Sequence, residues 1–187
     1  EARMARDCGF KGKLMRVRAA TEEEMAGALR WKVEELVGSL ASARTLGAIA
    51  RKHGRSIDVH LALNSAGMSR NGLEMGTDQG KRDAVDIVAT PGLRIVGVMT
   101  HFPGEEPPQL LAGLETFKRE TGWLFANTAL RRADVLLHAA NSFAVQHVPE
   151  AHLDMVRPGG ALYCYFGTPK PPFTHVTLFK TKVASVP

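Results

Sequence analysis

Cysteine is scarce in this chain: Cys8 and Cys164 are the only two, far apart and outside any Cys-x-x-Cys spacing. That excludes a thiolate zinc site and a disulfide framework, and leaves the redox compartment open. Aromatic residues make up only 6%, too few to alternate with basic side chains as base-stacking platforms. The 24 Lys and Arg outnumber the 19 Asp and Glu for a net charge of +5, yet the cations are scattered among acids, as in "TEEEMAGALRWKVEE". Without a basic stripe, nucleic acid is not an expected partner. No apolar run approaches the ~20 residues of a membrane helix, so no membrane association is expected. The seven histidines form no His-Glu-x-x-His pattern, and His147 and His152 lie five apart, which speaks against a metal hydrolase and leaves no metal site to expect. The chain starts at Glu1, inside the helical pattern "EARMARDCGF" and without a basic-then-apolar leader, so its own beginning is expected to lie upstream.

What is present is the composition of an ordinary globular domain, with 44% apolar and 23% charged residues to supply a core and a solvated surface. The 187 residues hold one domain, or part of a larger one. They fall short of the ~250 residues typical of a complete (β/α)8 barrel. Short apolar runs alternate with amphipathic stretches. The spacing predicts strands at 13–18, 35–39, 57–64, 93–101, 134–141 and 154–163. Helical spacing lies between them, in "TEEEMAGALRW", "ASARTLGAIARKHG", "GTDQGKRDAVDIVAT", "QLLAGLETFKRETGWLFANTAL" and "NSFAVQHVP". Such alternation implies parallel strands in βαβ units, hence an α/β fold. Thr21 followed by Glu24 reads as a capping box. Gly54 after "IARKH" reads as a helix stop, with basic residues against the negative end of the dipole. The tail differs: after the Pro-rich "GTPKPPF", the stretch "THVTLFKTKVASV" alternates with period two. It reads as the first strand of a second, β-rich domain.

In a parallel α/β fold, functional groups gather at the carboxyl ends of the strands. Here those ends carry Arg16 and Arg18, then Asn64 to Asn71 with Arg70 among them, Thr100 and His101, Asn141 and Ser142, and finally Arg157, Gly159 and Gly160. Each has a plain structural explanation when taken singly. Arg70, Arg16 and Arg18 suit surface ion pairs, His101 a half-buried core position, "NSFA" a helix N-cap, and "VRPGGA" a tight turn. Taken together they supply arginines, a flat imidazole, a helix N-terminus with a hydroxyl, and glycine amides. That combination suits an anion, most simply a phosphate.

The same residues carry a resemblance. "LNSAGMSRNG", "VGVMTHFPGEE", "LHAANSFA" and "LDMVRPGGALY", in this order and spacing, resemble the pyridoxal 5'-phosphate (PLP) dependent alanine racemases. The variants "NSAGMSRNG" and "THFPGEE", with "RVRAAT" near the start, are more similar to the broad-specificity amino-acid racemase branch. The resemblance runs from about Phe10 to Val186. It implies an N-terminal (β/α)8 barrel carrying PLP, a β-rich C-terminal domain, and a homodimer acting on small-molecule amino acids. On this reading residues 1–165 form an incomplete barrel, about its third to eighth strands, and 166–187 a linker and the start of the second domain. Ser142, Gly159 and Gly160 then hold the phosphate with Asn141 shaping the turn, His101 packs against the pyridine ring, and Arg157 faces its nitrogen. Arg70 lies near the phenolic oxygen and the substrate carboxylate. Asn64, Asn71, Ala62 and Ala66 belong to the substrate pocket, and Arg16 and Arg18 form an anion site.

Two bases on opposite faces of Cα are implied as well. One is the Schiff-base lysine of a V-x-K-x-x-A-Y-G-H-G motif, which does not occur in this sequence. The other is a tyrosine of the C-terminal domain, supplied across the dimer. This polypeptide alone is therefore expected not to racemise. Two departures stand out: Cys164 and Tyr165 follow "ALY" where a Gly is usual, and Ala66 replaces a Gly, which narrows the pocket. The competing readings are a PLP-dependent decarboxylase of the same barrel type, whose glycine-rich phosphate loop is not evident, and a non-catalytic PLP-binding barrel. The broad-specificity branch suggests the periplasm; an alanine-specific enzyme would be cytoplasmic.

Overall fold

A computed structural model describes residues 1–69 and 71–163. In chain order it contains α1 (Ala2–Asp7), β1 (Leu14–Met15), α2 (Glu22–Ala28), β2 (Val33–Val37), α3 (Leu40–Lys52) and β3 (Ile57–Ala62). Then come α4 (Asp78–Val88), β4 (Leu93–Met99), α5 (Pro107–Asn127), β5 (Leu136–His138) and α6 (Ser142–His147). The strands lie in sequence order and every neighbouring pair is parallel, so the sheet curls as part of a (β/α)8 barrel wall.

Local chemistry sets the element boundaries. The capping box at Thr21 and Glu24 forms, with the Thr hydroxyl accepting from the Glu24 amide and the Glu24 carboxylate accepting from the Thr21 amide. Ser39 and Thr77 cap α3 and α4 through their hydroxyls, without the reciprocal bond, each satisfying an amide of the first turn. Gly54, at φ +59°, closes α3 in the left-handed region as expected.

Both faces of the sheet are buried, as parallel strands require. Val37, Val59 and Leu61 pack outward against Leu46 and Ala50 of α3, Ile87 of α4, and Leu114 and Phe117 of α5. On the inner face Leu36, Ala62 and Met99 form a small cluster with Met15 against it. The same interior holds polar side chains in strand positions: Glu34 and His60 are nearly inaccessible, and His138 fully so.

The expected strand at 154–163 is not one. Residues 154–159 are irregular and Gly160–Tyr163 form a 3-10 turn. Asp154 N–H donates to Leu137 O and Arg157 N–H to Ala140 O, but the ladder stops there. Pro158 has no amide to continue it, and two glycines follow. Among the described residues there are therefore five parallel strands where six were expected. The strand expected at 176–185, the domain boundary at 165/166, Cys164 and Arg70 all lie outside the described residues.

Candidate active site

Arg157 lies at the carboxyl ends of β4 and β5. Its Nη1 donates to His138 Nδ1 at 2.7 Å, and its Nη2 to the carbonyls of Thr100 at 2.8 Å and Ala139 at 3.2 Å. His101 Nδ1 lies 3.5 Å from the same Nη2. Burial lowers the guanidinium pKa to about 10, which still leaves it protonated at neutral pH. His138 is held neutral: burial first, then the Arg157 and His60 charges, push its pKa down to about 2. A permanently donating arginine therefore meets an imidazole that offers a lone pair.

Beside this lies a second cluster. Asn141 is the N-cap of α6, its Oδ1 accepting from the Ala144 amide at 3.0 Å. Ser142 Oγ accepts from the Ala161 amide at 3.0 Å, which ties the first turn of α6 to the Gly160–Tyr163 turn. A Cβ placed on Gly159 would meet nothing within 4 Å. The Ser142–Ala161 contact brings the Asn141–Ser142 helix start next to the Gly159–Gly160 turn. The buried hydroxyl of Thr100, next to Arg157, has no hydrogen-bond partner among the described residues. These features fit the polar groups of PLP: a donor-only cation, an imidazole, and a cradle of hydroxyl and glycine backbone.

A cavity of about 400 Å³ opens above Arg157 and His101, walled by Arg18, Asn64, Asn71 and Met99. A larger cleft of about 620 Å³ lies among the amino ends of the strands, near Lys13, Arg55 and Arg94. It faces the end where this architecture places no chemistry. The loop from Asn64 is braced from several directions. Asn64 donates to Glu74 and accepts from the Ser69 amide at 2.9 Å, and Ser65 donates to Glu120.

The remaining expected site residues are placed unevenly. Ala62 is buried under the cavity beside Leu36 and Met99, which line it. Ala66 faces α5, where a Cβ on Gly113 would come 3.0 Å from its own. Arg18 reaches the cavity wall but forks onto Glu24, with contacts of 2.9 and 2.5 Å. That pairing, with the Thr21 amide, lowers the Glu24 carboxyl to about 2. Arg16 binds Glu35 at 2.7 Å away from the cavity. Burial raises the Glu35 carboxyl, with Arg16 acting against it.

Residue-by-residue reading passed over Glu34, His60 and His138. The available signal was an ionisable side chain inside each strand run, Glu34 in "VEELV", His60 in "IDVHLA" and His138 in "LLH".

The profile of the family described as alanine racemase, N-terminal domain, matches residues 1–166. A broad specificity amino-acid racemase of Vibrio parahaemolyticus is 48% identical over 186 residues, 100% of this chain and 45% of that protein. One of Aeromonas hydrophila is 51% identical over 189 residues, 100% of this chain and 46% of that protein. A lysine racemase of Proteus mirabilis is 45% identical over 186 residues, again 100% and 46%. The chain therefore spans rather under half the length of these relatives. Among solved structures, the alanine racemase of D-cycloserine-producing Streptomyces lavendulae is similar with a TM-score of 0.74 and 26% identity, over 91% of this chain and 44% of that one. That of Bacillus anthracis, with bound L-Ala-P, has a TM-score of 0.75 at 21% identity, over 92% and 45%, a likeness of fold.

Proposed function

The chain belongs to the alanine racemase family, and from that premise we propose that its protein is a broad-specificity amino-acid racemase that uses PLP to interconvert L- and D-amino acids, basic ones included. The observation that carries this is Arg157, a half-buried guanidinium at the barrel's carboxyl end with an imidazole and two carbonyls around it. Broad specificity is favoured by the relatives of that name at 48% and 51% identity.

When bound, PLP supplies an electron sink that lets a proton leave the substrate Cα. Arg157 sets how strong that sink is. It can only donate, so a pyridine nitrogen placed against it would have to stay unprotonated and accept. Among the described residues only Nη1 and Nη2 find partners, so the Nε–H would be available for this task. The weaker sink would favour return of the proton to Cα over transamination. His101 would pack against the ring, and Ser142, Gly159 and Gly160 would hold the phosphate on the turn that Asn141 caps.

Arg70 and the Asn64 and Asn71 amides bind and orient the amino acid, with Ala62 beneath the pocket, whereas Ala66 faces α5 and lies outside the cavity lining. Arg16 and Arg18 serve as an anion site only by exchanging Glu35 and Glu24 for a ligand. The two bases at Cα come from a lysine and a tyrosine that this sequence does not contain, the latter from the second subunit of a homodimer. The chain alone accordingly does not racemise, residues 166–187 lead into the second domain, and the broad-specificity reading places the protein in the periplasm, an alanine-specific one in the cytoplasm. Among the described residues no helix is long and apolar enough to cross a membrane.

The test is a racemase assay on the full-length protein with PLP, offering L-alanine, L-lysine and L-arginine. D-lysine and D-arginine are expected products. Turnover of alanine alone would overturn broad specificity, and no turnover would overturn the enzyme reading.

A further inference from the structure

Behind Arg157 runs a line of buried polar side chains that the proposed chemistry does not use. His138 Nε2 lies 2.8 Å from His60 Nδ1, and His60 Nε2 lies 2.9 Å from Glu34 Oε2. Glu34 Oε1 is 3.3 Å from the exposed Lys13 ammonium, near the opposite end of the sheet. The line spans four strands, β2 to β5, and the sequence makes room for it: His60 on β3 reaches His138 on β5 across Gly97 of β4, where any Cβ would collide with the imidazole. The two rings meet edge to face, 4.9 Å between centroids and 78° between planes.

The ends fix the middle. Arg157 has no lone pair, so His138 must accept at Nδ1 and carry its proton on Nε2. His60 then accepts at Nδ1 and donates from Nε2 to the Glu34 carboxylate, which accepts only. Starting from Glu34 gives the same two tautomers. A proton added to either ring would set donor against donor, and burial already lowers both imidazoles. All three hydrogen bonds therefore point from the guanidinium to the carboxylate, and bonds aligned in series polarise one another.

We propose that Glu34 and His60 are positioning residues for Arg157: through His138 they hold one edge of the guanidinium and so fix its rotation toward the cavity. The array stands on the contacts above, and its consequence for the cofactor rests on the reading of Arg157 as partner of the ring nitrogen.

The experiment is long-range ¹H–¹⁵N NMR on the full-length protein at pH 7. His60 and His138 are expected as neutral, Nε2-protonated rings. An Nδ1-protonated or doubly protonated ring at either position overturns the proposal without any variant being made. In His60→Phe, the Nη1 resonances of Arg157 are expected to shift and exchange faster as its bond to His138 loosens, with Nη2 still held by the Thr100 and Ala139 carbonyls, while Lys13→Ala leaves them unchanged. Unchanged Nη1 resonances in His60→Phe would overturn the positioning role. Glu34→Gln, whose amide oxygen still accepts from His60, is expected to keep both tautomers, and their loss would count against the proposal. PLP binding is followed separately by the absorbance of the protein-bound cofactor. Its failure with tautomers intact would overturn the reading of the cavity and not that of the array.

Discussion

Arg157 and His138 are joined by a 2.7 Å hydrogen bond between Nη1 and Nδ1, so a cation of the functional site is anchored to a strand residue of the barrel interior. Replacing Arg157 by Lys keeps the charge but removes the planar fork that reaches His138, Thr100 O and Ala139 O together. Denaturant unfolding is expected to show a loss of about 2 kcal/mol, the order for hydrogen bonds to a charged group. PLP retention is expected to fall as well, and a variant equal to the parent in both would contradict the role given to the fork.

The depressed pKa of His138 makes stability depend on pH. The folded state keeps the ring neutral down to about 2, whereas the unfolded chain takes up a proton near 6.5. The unfolded state thus binds more protons below that value. The stabilisation is present in full above pH 6.5 and is lost as pH falls toward the folded value. His60 is shifted in the same direction; Glu35 and Glu120, raised by burial, act oppositely. Between pH 7 and 5.5 the His138 contribution falls by about 1 kcal/mol. Urea unfolding at the two pH values should show lower stability at 5.5, and higher stability there would contradict it.

Gly97→Ala places a methyl against the His60 ring. Overpacking of this kind costs about 1–3 kcal/mol. The double variant Gly97→Ala with His60→Ala removes the clash, so its cost should be less than the sum of the two single ones. Additive costs in a double-mutant cycle would mean that the glycine is not there for the ring.

Asn141 and Ser142 are adjacent but do different work. Asn141→Ala deletes a helix cap and should lower stability by about 1 kcal/mol. Ser142→Ala breaks the tie to the Ala161 amide and should in addition weaken PLP binding, read by titration of the cofactor. Equal effects of the two variants on PLP binding would remove the distinction.

Much of this was legible beforehand because it is local. The period of the apolar runs, the capping box at Thr21 and the glycine stop at Gly54 depend on residues a few positions apart, and they appear where expected. So do the five strands, though β1 and β5 are shorter than their apolar runs. The run at 154–163 misled because its composition is strand-like while Pro158 and the glycines break the ladder. The motifs at strand ends pointed to Arg157, His101, Asn141 and Ser142, which the fold does bring to one end.

By itself, then, the sequence determined an α/β chain of the alanine racemase family, with its helix caps and the residue types at its strand ends. Only the tertiary structure decided which of those groups meet. Arg16 and Arg18 sit two residues apart and both reach Glu24, yet Arg16 makes its short contact to Glu35 on β2. Glu34, His60, His138 and Arg157 are spread over 124 positions (34 to 157) and become one hydrogen-bonded line. Their contacts run across the strands, from one chain segment to the next, and a pattern read along a single segment carries no record of its neighbour.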